Sequence, residues 1–267
     1  MIQEDIRIEI VRRLKNVEIE HGVRILFAIE SGSRAWGFAS PNSDYDVRFI
    51  YMREPQWYQA VDLEERRDVI EYPIVDDIDL NGWDVRKALR LYWKSNPTFV
   101  EWLLSPITYL DQSTFRADAL SVLPNIYSPV KGIYHYRSMA KTNYRGYLLE
   151  PMVRLKKYFY VLRPLLAARW VAKTGGAAPI EFEKLLTLLK GEPNVLAEVL
   201  KLLEQKRKAP ELGLAPAVPA LNTFIETELS DEQFDVPKKS HSPQVVGLLN
   251  KLFHDAIGEY GQTNFKS

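Results

Sequence analysis

No cysteine occurs among the 267 residues, and histidine occurs only four times. Without thiols there can be no disulfide, no thiolate nucleophile and no cysteine-ligated zinc. His135, His241 and His254 show no metal-ligand spacing and read as ordinary polar residues. No apolar run reaches the ~18 residues a membrane-crossing helix needs. The first residues, MIQEDIRIEIVRRLKN, are mixed in charge and hold no apolar segment of the signal type. These absences lead to the expectation of a cytoplasmic protein with no membrane partner. Internal repeats and low-complexity blocks are also missing. Net charge is zero, with 35 Lys+Arg against 35 Asp+Glu.

What is present is enough apolar material for a core, 46% hydrophobic and 12% aromatic, which excludes wholesale disorder. The neutral average conceals an uneven distribution. Residues 1–130 carry 15 Lys+Arg against 21 Asp+Glu, whereas residues 131–173 carry 10 against the single acid Glu150. An acidic front and a basic middle suggest metals held by the former and a polyanion near the latter.

The segment from Glu30 to Tyr51, ESGSRAWGFASPNSDYDVRFIY, organises the rest. It opens with the small-residue turn Ser31-Gly32-Ser33 and closes with two carboxylates one residue apart, Asp44 and Asp46. In a strand alternate residues share a face, so Asp44, Asp46 and Arg48 point one way. Tyr45, Val47, Phe49 and Tyr51 point the other. A strand that buries one face and aligns two acids on the other resembles a platform for divalent metals.

Around it the pattern predicts a helix over 2–20, from Ile2, Ile6, Ile10, Leu14 and Val17, and a buried strand over 23–29. A short helix over 34–38 would have Ser33 near its N-cap. The strand over 44–51 would then place the site at a sheet edge. A third strand over 69–80 carries Pro73, which argues against a central strand along its full length or starts the part that pairs. Asn81-Gly82-Trp83 reads as a turn and Asp84 as the cap of a helix over 85–94. A short helix over 99–104, a helical stretch over 112–173, helices over 180–190 and 193–208, a connector over 209–222 and a last helix from Ser242-Pro243 complete the chain. In the basic block, Arg137, Lys141 and Arg145 would form one stripe and Lys156, Tyr160 and Arg163 another. Interleaved aromatics such as Tyr134, Tyr147 and Trp170 suit a base stack beside a phosphate track. Trp36 and Trp83 read as packing residues.

The Gly-Ser turn after a strand, Asp-x-Asp on the next and an apolar-flanked Asp79 on a third are together similar to the signature of the DNA polymerase β-like nucleotidyltransferase superfamily. GSRAWGFASPNSDYDVRFIY, DIDLNGWDVRKALRL, KSNP and EWLLSP resemble the RNA-repair-associated, RlaP-like nucleotidyltransferases more closely. The likeness is strong over residues 24–110 and looser in KKYFYVLRPLLAARW. It implies an α+β fold, with a small mixed-sheet catalytic domain over 1–110 and a mostly helical domain over 111–267 that completes the cleft. It implies transfer of a nucleoside monophosphate from an NTP to a hydroxyl, most naturally at an RNA end, with Mg²⁺ or Mn²⁺ as a pair of ions. Asp44 and Asp46 would hold both ions, and Asp79 would complete the acceptor side. Gly32 and Ser33 would cradle the β- and γ-phosphates, with Arg34 and Ser43 next to them. Lys156 and Lys157 would close over the triphosphate. Asp76 and Asp77 are rivals to Asp79 and read as solvated. A protein or small-molecule acceptor, or a non-catalytic nucleotide or RNA sensor, are the alternatives.

Overall fold

The computed structural model describes residues 2–208, 213–231 and 243–263. His241, Ser242 and residues 209–212 of the expected connector lie outside them. Helix α1 (Glu4–His21) buries Ile10, Leu14 and Val17 and ends where Gly22, at φ +58°, takes the left-handed cap. Strand β1 (Arg24–Glu30) leads into the one-turn helix α2 (Gly32–Ala35), whose N-cap is Ser31 rather than Ser33. Strand β2 (Tyr45–Met52) follows. The expected strand over 69–80 is instead divided between β3 (Val69–Glu71) and β4 (Ile78–Asp84). Pro73 and the left-handed pair Asp76 and Asp77, at φ +53° and +59°, turn the chain back on itself. Asn81-Gly82-Trp83 is therefore strand, not turn. Gly82 is accommodated there because the Phe49 ring fills the space a β-carbon would need.

Helix α3 (Val85–Trp93) starts as expected, with the Asp84 carboxylate accepting from Arg86 N at 2.8 Å. Helix α4 (Pro97–Leu104) is capped by Asn96, and β5 (Thr108–Asp111) returns to the sheet. The sheet order is β3-β4-β2-β1-β5, with β2 and β4 parallel and the other pairs antiparallel. β2 is thus central, and the expectation of a site at a sheet edge was wrong. The strands on both sides of β2 supply its neighbours, a pairing that no local pattern encodes.

The remainder is mostly helical: α5 (Phe115–Ile126), α6 (Pro129–Tyr147), α7 (Lys157–Thr174), α8 (Phe182–Leu186), α9 (Pro193–Lys208), α10 (Pro219–Ser230) and α11 (Pro243–Thr263). The stretch over 112–173 is interrupted by strand β6 (Met152–Arg154), which pairs with β7 (Leu214–Pro216). Residues 213–222, expected as connector, hold β7 and the start of α10. Backbone groups around Pro151 find their partners some sixty positions away, as in Ala217 N to Pro151 O at 2.9 Å.

Each sheet face has its own partner. Val47, Phe49, Ile78 and Leu80 pack with Ile10, Leu14 and Val17 of α1. Ile50 and Met52, of opposite parity, join an apolar core shared with α3 to α7. Asp46 and Arg48 have the parity of Ile50 and Met52, so they face the helical side. Among the described residues no helix is long and apolar enough to cross a membrane. The fold is α+β.

Candidate active site

Three strand ends converge: the C-terminal end of β1 and the N-terminal ends of β2 and β4. Asp46 and Asp79 are register partners on the parallel strands β2 and β4. The backbone of Asp46 is held from both sides. Its N–H donates to Glu30 Oε1 at 3.0 Å, and its carbonyl accepts from Ser31 N at 2.8 Å. Glu30 is fully buried, and Tyr109 donates to its other oxygen at 2.6 Å. Burial pushes the Glu30 carboxyl up to about 7, against the Tyr109 and Asp46 hydrogen bonds that pull it down.

Gly32, at φ +57°, lies directly against the Asp46 carboxylate. A β-carbon at position 32 would stand 2.7 Å from Asp46 Cγ and overlap the carboxylate oxygen. Glycine is needed both for the left-handed backbone and for the close approach. On its other side the Asp46 carboxylate meets Arg48. Arg48 Nη2 donates to Asp46 Oδ1 at 2.9 Å and to Asp79 Oδ2 at 2.7 Å. Asp44 is exposed in the loop entering β2. Burial pushes the Asp46 carboxyl up; the Arg48 charge opposes this, and the charges of Asp79 and Asp44 reinforce it.

The structure therefore gathers Asp46, Asp79 and Gly32, with Asp44 close enough to act electrostatically on Asp46. Ser33 is half-exposed in α2. Arg34 and Ser43 are already engaged. The Arg34 guanidinium lies 3.8 Å from the Tyr45 ring centroid and donates to Ser43 O and Asp44 O, bracing the loop. Ser43 Oγ accepts from Ser40 N at 2.9 Å. Asp76 and Asp77 are exposed, and Asp76 pairs with Arg13.

From the helical side, Lys156 immediately precedes α7 and Lys157 begins it. Lys157 Nζ sits 3.9 Å from the Tyr147 ring centroid and 4.9 Å from that of Tyr160. The Tyr160 hydroxyl is pushed up by burial and then by the Asp46 charge, with Lys156 opposing and Asp44 adding. The start of α7 thus lies within electrostatic reach of Asp46 and Asp44. The basic stripes are less uniform than their spacing implies. Arg163 is buried and pairs with Glu101 at 2.8 Å, with its guanidinium 4.5 Å from the Trp36 ring centroid. Arg137 donates to the Glu228 and Leu229 carbonyls near the end of α10. Arg169 pairs with Glu192 and Glu228. Part of the positive excess of residues 131–173 is matched by acids from distant segments.

Sequence reasoning gave no role to Glu30, Arg48 or Lys206. The signal for Arg48 was its two-residue step from Asp46. Lys206 lies over the Phe38 ring at 5.7 Å and within electrostatic reach of Lys156, and burial, then Lys156, pulls its ammonium down. Nothing local announces it.

Carboxylate oxygens are hard donors, and magnesium needs few of them because it retains waters and takes phosphate oxygens. Asp46 and Asp79 offer two adjacent carboxylates, and Asp44 a third nearby, so the donor set fits a divalent ion. It is not a finished cage. Among the described residues no three His, Asp or Glu side chains converge as metal ligands.

A model of the family described as "RlaP: RNA repair pathway DNA polymerase beta family" matches residues 6–255. A protein of Bacillus subtilis (strain 168), titled "Uncharacterized protein YcgL", is 43% identical over 252 residues, covering 94% of this chain and 96% of that one. A crystal structure of a nucleotidyltransferase-like protein from Exiguobacterium sibiricum 255-15 is 12% identical, with a TM-score of 0.32 over 96% of this chain and 91% of that one. That superposition is too loose to carry anything across. The family match spans nearly the whole chain, including every carboxylate and glycine of the site: the chain belongs to the RNA repair pathway DNA polymerase beta family, RlaP, and is a nucleotidyltransferase.

Proposed function

We propose that the protein transfers a nucleoside monophosphate from an NTP to a hydroxyl at an RNA end and releases pyrophosphate. The observation that carries this reading is the register pairing of Asp46 with Asp79 beside Gly32. In the reaction the acceptor oxygen bonds to the α-phosphorus, and the bond from that phosphorus to the β-phosphate oxygen breaks. Gly32 and Ser33 seat the outgoing phosphates, whose negative charge is met by Lys156 and Lys157 and by the N-terminal end of α7. Asp79 faces the acceptor and takes up or orients its proton. Asp44, Asp46 and Asp79 would hold Mg²⁺ or Mn²⁺, which supplies charge neutralisation for the attacking and leaving oxygens. Arg34 and Ser43 shape the loop that delivers Asp44, and Arg34 adds positive charge beside Asp46. In this reading residues 1–110 form the catalytic unit and 111–267 the helical wall of the cleft. A cytoplasmic location fits the cysteine-free composition.

RNA as acceptor is favoured by the family description and by the helical surface. Tyr134 and Tyr147 are exposed, as are Lys141, Arg145 and Arg154. Aromatics beside cations provide base stacking and phosphate contacts on a single strand. The experiment is incubation with each labelled NTP, Mg²⁺ or Mn²⁺ and an RNA pool, following pyrophosphate release and label transfer. The expected result is labelled RNA, lost in a folded Asp46→Asn variant. Label on the protein or on a small molecule would move the acceptor away from RNA. Tight NTP binding without turnover would make the protein a sensor.

A further inference from the structure

Arg48 is the one cation in direct contact with both register-paired carboxylates among the described residues. Its side chain is 17% exposed. Nη1 donates to Val47 O at 3.1 Å and to Asp79 O at 3.0 Å, while Nη2 donates to one oxygen of each carboxylate. The guanidinium is thereby locked by four acceptors, with one amino group in contact with both Asp46 and Asp79. A divalent ion held by the same two oxygens, Asp46 Oδ1 and Asp79 Oδ2, would need the same place. Magnesium sits ~2.0–2.1 Å from its oxygens, well inside the 2.7 and 2.9 Å at which Nη2 holds these two. The guanidinium and the ion cannot share that oxygen pair. The two carboxylates also repel each other and Asp44, and some positive charge must offset this while no substrate is bound. Arg48 provides it from within the chain.

We infer that Arg48 is a resident counter-ion that holds the position between Asp46 and Asp79 until nucleotide arrives. The inference rests on the proposed nucleotidyl-transfer reading. Its consequence is that a divalent ion enters this position only with a triphosphate, whose oxygens give the displaced guanidinium a new bidentate partner. The protein then does not collect free metal, and the site completes itself around the metal–nucleotide complex. The alternative is a permanent strut, in which Arg48 holds the two carboxylates correctly for the metal and never leaves. The two differ in sign when Arg48 is removed.

The test is Mn²⁺ binding followed by electron paramagnetic resonance, without nucleotide, for wild type, Arg48→Gln and Arg48→Lys. Arg12→Gln serves as control, since it removes one positive charge from an exposed pair with Glu9 that contacts neither carboxylate. The expected result is at least tenfold tighter Mn²⁺ binding in Arg48→Gln and less than threefold in Arg12→Gln. Arg48→Lys, whose single ammonium cannot reach all four acceptors, should fall between wild type and Arg48→Gln. Should Arg48→Gln fail to fold, Arg48→Lys alone decides. Equal or weaker Mn²⁺ binding in the folded Arg48 variants overturns the inference and makes Arg48 a strut. Equal tightening in Arg12→Gln overturns it as well, reducing the effect to general charge. If wild type takes up Mn²⁺ with a non-hydrolysable NTP, such a failure touches this inference alone. If no form binds Mn²⁺ with or without nucleotide, the proposed function falls with it.

Discussion

Gly32→Ala is the most informative single substitution. Two separate physical effects meet at this position. The backbone stands at φ +57°, where an alanine costs about 1–2 kcal/mol. The new β-carbon would also lie 2.7 Å from Asp46 Cγ. Carbon atoms prefer separations of ~3.5–4.0 Å, so the Asp46 carboxylate or α2 must shift by about 1 Å. Overpacking of that kind costs a further ~1–3 kcal/mol. In a chain this long the sum lowers the melting temperature by roughly 5–15 °C. Displacing reacting groups by about 1 Å lowers turnover by ~10²-fold. Gly37→Ala separates the two effects, since Gly37 stands at φ +87° with no atom within 4 Å of an added β-carbon. It should lose only the strain part of the stability and keep its turnover. The assay is pyrophosphate release with NTP and RNA, paired with thermal melting of each variant. Turnover in Gly32→Ala within threefold of wild type would refute the reasoning, as would an equal loss in Gly37→Ala.

Glu30→Gln tests the buried carboxyl. Its folded pKa of about 7 lies above the ordinary 4.5, so the native state binds the extra proton between those values and stability falls as pH rises through them. The variant should match wild type near pH 4.5 and exceed it by about 3 kcal/mol near pH 8 in denaturant unfolding; a pH-independent difference contradicts this. Glu101→Gln leaves Arg163 buried without its carboxylate and should cost about 3–5 kcal/mol. Replacing both, as Glu101→Leu with Arg163→Met, should recover most of that, and a double variant as unstable as the single one would count against the pair as the cause.

The parts of this molecule legible in the sequence are those written locally. The α1 stripe, the β2 alternation, the Asp84 cap and the bounds of α9 follow from periodicity and capping within a few residues. Gly32 and Asp46 were recognisable as parts of one motif because only thirteen residues separate them. The central place of β2 was not legible, because it depends on β4 and β1 flanking it, and strand order is a long-range property. The same holds for β6 with β7, whose pairing spans sixty positions. Gly82 misled because glycine marks turns far more often than it marks a position crossed by a neighbouring ring. Arg163 misled because a three-residue step from Tyr160 places it on a basic stripe, while its partner Glu101 belongs to another helix. Arg48 was visible as a face neighbour of Asp46, but its bridge to Asp79 required the β2–β4 register.

The proposed activity requires one site assembled from Asp44, Asp46, Asp79 and Gly32. The direct measurement is a crystal structure with Mn²⁺ and a non-hydrolysable NTP, using the anomalous signal to locate the metal. The expected result is manganese ~2 Å from carboxylate oxygens of Asp46 and Asp79, the triphosphate across Gly32 and Ser33, and Lys156 and Lys157 turned toward it. Manganese on other residues, or a nucleotide bound away from β2 and β4, would contradict it.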